Sequence, residues 1–125
     1  MSKINLLIVD DRAENIIALE ALLNQHDINI LTTTSPNEAL RICWEKDIAI
    51  ALVDVQMPGM NGFQMLESLK RPGSGYESLK VIVISALNAQ QIAQGGGLPP
   101  DVTFLAKPVH YGELETMVRD WLHTV

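Results

Sequence analysis

Residues 4–11 read Ile4-Asn5-Leu6-Leu7-Ile8-Val9-Asp10-Asp11, an apolar run that stops on two aspartates. It lacks the polar alternation of a half-exposed strand, so it predicts a strand covered on both faces. Residues 48–53 (IAIALV) and 81–84 (VIVI) repeat the pattern. The segments between carry helical spacing: Ile16, Leu19, Leu22 and Leu23 share one face, as do Phe63, Leu66 and Leu69. Ser35-Pro36-Asn37-Glu38 supplies a capping hydroxyl, a proline at the first helical position and a glutamate three residues after the cap, so a helix starts there, with Ala39, Leu40 and Cys43 on its inner side. Tyr111, Leu114, Val118, Trp121 and Leu122 give a final amphipathic helix.

Five strands are therefore expected, near 4–9, 28–33, 49–54, 80–85 and 102–105, each followed by a helix. Such alternation makes a doubly wound α/β fold: a five-stranded parallel sheet with helices on both faces, strand order 2-1-3-4-5. In that topology the ligand crevice opens at the carboxyl ends of the strands, where the first and third diverge. Polar residues at those ends are the candidates for chemistry.

The chain of 125 residues is the size of one domain, taken as 1–125, and 47% apolar against 19% charged residues suits a packed interior. A formal charge of −6 repels a phosphate backbone, so direct nucleic-acid binding is not expected. The start of the chain has neither signal-peptide architecture nor a bilayer-length apolar segment, which reads as a cytoplasmic protein without a membrane partner. Cys43 is the single cysteine, which excludes an internal disulfide and a cysteine-based zinc site and fits a buried, inert thiol. His26, His110 and His123 have no ligand-like spacing.

Asp10 and Asp11 follow the first strand and Asp54 ends the third, so the topology gathers three carboxylates at the crevice. Two such charges ~4 Å apart repel by about 4 kcal/mol at an effective dielectric near 20, which calls for a cation. Oxygen-only ligands favour a hard ion, and Mg²⁺ commonly pairs one or two carboxylates with waters and a substrate phosphate. Lys107 after the fifth strand and Ser85 at the end of the fourth add an ammonium and a hydroxyl. Together they supply the positioning and charge neutralisation that phosphoryl transfer to a carboxylate requires.

The succession LLIVDD, ALVDVQMPGMNG, VIVISA and FLAKP resembles the receiver domain of bacterial two-component response regulators, of the CheY-like kind, across nearly the whole chain. The resemblance implies a flavodoxin-like receiver fold with Asp54 as phosphoacceptor. It also implies Mg²⁺ held by Asp10, Asp11, Asp54 and the main-chain carbonyl of Gln56, a switch pair Ser85 and Phe104, and Lys107 as the family's lysine, joined to Pro108 by a cis peptide. By the same resemblance the phosphoryl donor is a sensor histidine kinase or histidine phosphotransfer protein, the output is a downstream protein partner, and the chain catalyses only its own phosphorylation and dephosphorylation.

Other readings of the same residues stand beside this one. An acidic pair after a strand also offsets a helix dipole, Ser85 and Asn88 are rival helix caps, Phe104 is also a plain core aromatic, and residues 57–62 also read as a βα turn. A flavin protein would want Ser, Thr and Gly where Asp10-Asp11-Arg12-Ala13-Glu14 stands, and an aspartyl phosphohydrolase would want an acid where Gln56 stands. A receiver-like scaffold that binds partners without phosphorylation is the second reading of function. Pro99-Pro100-Asp101 departs from the family's Ala-Gly-Ala-like stretch, so the helix after the fourth strand is expected to stop near Gln94, short or frayed, with dimerisation through that face not assured. Apolar Leu87, two places after Ser85, is expected to restrict water and lengthen the phosphorylated lifetime.

Overall fold

Strand β1 (Ile4–Val9) is an interior strand of the sheet, paired on both edges, and its sequence is apolar at consecutive positions because both faces are covered: Leu6 to Val9 are all buried. The computed structural model describes residues 4–24, 28–54, 62–70, 79–85, 90, 93, 102–107 and 110–122. Around β1 lie α1 (Ala13–Leu23), β2 (Ile28–Thr33), α2 (Pro36–Glu45), β3 (Ile48–Val53), α3 (Gly62–Lys70), β4 (Lys80–Ser85), β5 (Thr103–Ala106) and α4 (Tyr111–Leu122). All strand pairs are parallel and the order is β2-β1-β3-β4-β5. The expected fold is the one observed, with the third strand starting and ending one residue earlier than expected and the fifth one residue later.

Period-two alternation splits the strands between two cores. Leu7, Val9, Ala51, Val53, Val81 and Val83 face α2 and α3, where Ala39, Cys43, Met65, Leu66 and Leu69 meet them. Leu6, Ile8, Ile50, Leu52, Ile82 and Ile84 face α1 and α4, packing on Ile16, Leu19, Leu23, Leu114 and Val118. Burial follows the spacing expected for α1. In α4 the inner line is Leu114 and Val118, whereas Tyr111, the first residue of the helix, is 50% exposed.

The start of α2 forms as its sequence requires: Ser35 is extended, Pro36 opens the first turn, and the Ser35 hydroxyl accepts from the Glu38 N–H at 3.3 Å. The Glu38 carboxylate instead lies beside Arg41. At the amino ends of the strands, the β1–β3 register changes by one residue, from Asn5 opposite Ile48 to Leu6 opposite Ile50. The Asn5 side chain brackets the irregularity, donating to the Asp47 carbonyl at 3.0 Å and accepting from Asn29 at 3.0 Å.

Between β4 and β5 the described residues are Gln90 and Ala93, both helical and exposed, and Val102, which is partly buried against the α2–α3 core just before β5. The short helix expected to end near Gln94, Leu87 and Asn88, the 57–61 turn, Gln56, Pro108, His26 and His123, and the Phe63 side chain, lie outside the described residues. No helix among those described is long and apolar enough to cross a membrane.

Candidate acidic site at the strand ends

Main-chain hydrogen bonds continue one residue past the strands and carry the aspartates with them. The Asp54 N–H donates to the Val9 carbonyl at 2.9 Å, and the Asp10 N–H to the Thr33 carbonyl at 3.2 Å. Asp10 and Asp54 thus sit side by side at the carboxyl ends of β1 and β3. With Asp11 they bring one carboxylate oxygen each to within 4.8 Å of one another. Asp10 and Asp54 are buried and Asp11 is exposed, so the cluster is a recess with one open side.

The Lys107 N–H donates to the Ser85 carbonyl at 2.9 Å, which extends β5 alongside β4. From there the Lys107 ammonium reaches Asp54 Oδ2 at 3.2 Å, with its side chain 29% exposed and that of Asp54 only 5%. Ser85 is fully buried at the end of β4. Phe104, opposite Val83, is half-buried against the α2–α3 core.

Asp10 is fixed by the chain that follows it. Its Oδ1 accepts from the Arg12 N–H at 3.0 Å, the turn a short acidic side chain makes before a helix, and its Oδ2 accepts from Asn15 Nδ2 at 3.2 Å. Burial, above all, pushes the Asp10 carboxyl above its ordinary range, and the Arg12 N–H opposes this. The charge of Asp54 raises it further, while Lys107 and Asn15 pull the other way.

Asp10, Asp11, Asp54, Ser85 and Lys107 therefore all stand at one end of the sheet, Phe104 stands on the strand beside them, and Gln56 lies outside the described residues. Asn15 does not stand out in the sequence, where an amide in the first turn of a helix reads as surface. Its only sequence signal is its place one helical turn beyond the acidic pair. The donor set fits a hard divalent cation: oxygen ligands alone, two of them desolvated and repelling, with one side left for water or phosphate.

The model of the response regulator receiver domain family matches residues 6–119. The chain belongs to this family. Among curated proteins, the receiver-domain chain is 31% identical over 116 residues to the sensory/regulatory protein RpfC of Xanthomonas campestris pv. campestris, covering 92% of the chain and 16% of that protein. It is 26% identical over 114 residues to protein PilH of Pseudomonas aeruginosa, covering 91% of each. The chain thus spans under a fifth of RpfC and nearly all of PilH. Among solved structures, the signal receiver domain of a signal transduction histidine kinase from Syntrophus aciditrophicus superposes with a TM-score of 0.84 at 23% identity, over 97% of this chain and 91% of that one. A putative response regulator from Chloroflexus aurantiacus gives 0.83 at 24% identity, over 98% and 99%. These structures share the fold, and the family places the chain in two-component signalling.

Proposed function

We propose that this receiver domain is a phosphorylation switch in which Asp54 accepts a phosphoryl group from a phosphohistidine, on a sensor kinase or a histidine phosphotransfer protein. The observation that carries the reading is the placing of a buried Asp54 between the Asp10 and Asp11 carboxylates on one side and the Lys107 ammonium, 3.2 Å away, on the other. A carboxylate so placed is a poised nucleophile, and the charges needed to steady a transferring phosphoryl group already surround it.

An oxygen of Asp54 attacks phosphorus as the bond from phosphorus to the imidazole nitrogen breaks. The electron pair of that bond stays on the imidazole, and the product is an acyl phosphate on Asp54. Lys107 turns from Asp54 Oδ2 to a phosphoryl oxygen, a charge-assisted bond that compensates part of the added charge of about −1.5 to −2. The Ser85 hydroxyl, one strand away, donates to another phosphoryl oxygen, and Phe104 moves inward as Ser85 does. Asp10, Asp11 and Asp54 would hold Mg²⁺, with the Gln56 carbonyl as the further ligand implied by the family. When bound, the ion neutralises negative charge on the transferring group. The chain acts on its own aspartate only, works in the cytoplasm beside its phosphodonor, and passes the change of surface to a protein partner.

The test is incubation with acetyl phosphate and Mg²⁺ followed by intact mass, with Asp54→Asn and an EDTA-treated sample as controls. One phosphoryl group should be gained, and only when both Asp54 and Mg²⁺ are present. An unlabelled protein, under conditions where another receiver domain reacts, would overturn the reading in favour of a scaffold that works without phosphorylation.

A further inference from the structure

We infer that Asn15 is the positioning residue of the acidic site: from the first turn of α1 its side-chain amide holds the Asp10 carboxylate in place and thereby sets how tightly the site takes a divalent cation. The inference rests on the reading of Asp10, Asp11 and Asp54 as the cation ligands.

A buried carboxylate at the end of a strand can turn about its last bond, and each orientation presents different lone pairs to the recess. Asp10 is pinned at both oxygens, Oδ1 by the Arg12 N–H and Oδ2 by Asn15 Nδ2. Two donors on different oxygens fix the plane of the group, which one donor cannot do. The Arg12 anchor is main chain and is supplied by almost any residue. Asn15 gives the one side-chain hydrogen bond to Asp10 among the described residues, so it is the anchor that the sequence controls.

Chemistry settles which end of the amide faces Asp10. An ionised carboxylate only accepts, so the NH₂ group must point to it. Asparagine is a poor helix former, so at this place in α1 its benefit lies in the bond to Asp10 rather than in the helix. Glu14, the neighbouring acid, turns instead to the exposed Arg12 guanidinium at 3.3 Å and takes no part.

With Asn15 in place, the orientational freedom of Asp10 is lost when the protein folds and not when the cation arrives. Groups that orient a metal ligand from behind commonly change metal affinity by about 10–100-fold. A similar loss is expected when this donor is removed.

The experiment is a calorimetric titration of Mg²⁺ alone into the parent chain, Asn15→Leu, Asn15→Ala, Asn15→Gln and Asp10→Asn, with thermal melts of each in EDTA. Leucine keeps the volume of asparagine without a donor, alanine is a second donor-free choice that suits a helix, and glutamine retains the donor. Asn15→Leu and Asn15→Ala should bind Mg²⁺ about 10–100-fold more weakly than the parent, and each should still unfold in one cooperative transition in EDTA, somewhat below the parent because a buried carboxylate has lost a donor. Asn15→Gln should recover part of the affinity. In acetyl phosphate labelling, the donor-free variants should need more Mg²⁺ for half-maximal rate while reaching the parent's plateau. A donor-free variant within twofold of the parent's affinity, where Asp10→Asn has lost binding, would overturn the role of Asn15 alone. A parent that binds no Mg²⁺ would overturn the site reading and this inference with it.

Discussion

Replacing Asp10 by asparagine is expected to make the metal-free protein more stable, because the site stores carboxylate repulsion that the Lys107 ammonium offsets only in part. Asp10 and Asp54 are both buried and present oxygens within 4.8 Å of each other. Two unit charges at that distance repel by roughly 3.5 kcal/mol at an effective dielectric near 20. Lys107, bonded to Asp54, returns part of this, so the neutral amide should gain about 1–2 kcal/mol, or a melting temperature higher by about 3–10 °C for a domain of this size. Asparagine can still accept from Arg12, and Asn15 can turn its own carbonyl toward the new NH₂, so neither hydrogen bond need be lost.

The pH dependence has a definite sign. Burial and Asp54 raise the Asp10 carboxyl above its ordinary value of 3.8, so between the two values the folded chain binds more protons than the unfolded one. Stability of the parent therefore falls as pH rises through that window, and the penalty is full above it. The advantage of Asp10→Asn should be greatest near pH 7 and should shrink as pH falls toward 3.8. Thermal melts in EDTA across this range provide the assay. Saturating Mg²⁺ should reverse the ranking, since the parent alone gains binding energy, about 2.7 kcal/mol at a hundredfold excess over Kd. An Asp10→Asn protein that melts at or below the parent near pH 7 in EDTA, or whose advantage grows on acidification, would refute the reasoning.

Lys107→Met removes the counter-charge of a buried carboxylate, and should cost about 1–2 kcal/mol in urea denaturation without metal, less than a fully buried pair because the lysine is 29% exposed. Leu114→Ala opens a cavity where α4 meets the sheet and should cost about 2–5 kcal/mol by the same measurement. The Cys43 thiol, pushed up to about 11 by burial, is about one part in a thousand ionised at pH 8. A thiol reagent should therefore leave the folded protein unlabelled for hours and label it promptly in urea, and rapid labelling of the native state would count against that burial.

Most of the fold is legible because the central strands are buried on both faces, so β1, β3 and β4 read as unbroken apolar runs between helices of clear period. The clustered aspartates follow from topology, which brings the ends of adjacent strands together wherever their turns lead. The β1–β3 irregularity is not legible, since Ile48, Ala49 and Ile50 are all apolar and every pairing of them looks equally good. Tyr111 counts toward the apolar face by spacing, yet as the first residue of its helix it stays half exposed. Asn15 escapes notice because a single amide in a helix is ordinary until its partner is known.

The irregularity beside Asn5 has a consequence at the opposite end of the molecule. Below it, residues of β3 pair with those of β1 at one offset, and above it at an offset larger by one, with Ala49 as the extra residue. Only the larger offset sets Asp54 level with Asp10. Were Ala49 deleted, β3 would either keep its upper pairing and pull its entry turn inward, or slide. A slide would displace Asp54 by one residue, about 3.3 Å along the strand, and reverse the side to which each β3 side chain points. The acidic site is in this sense measured out by chain length from some 16 Å away, and small insertions or deletions near Ile48 would be read there as loss of cation binding although every ligand remained in the sequence.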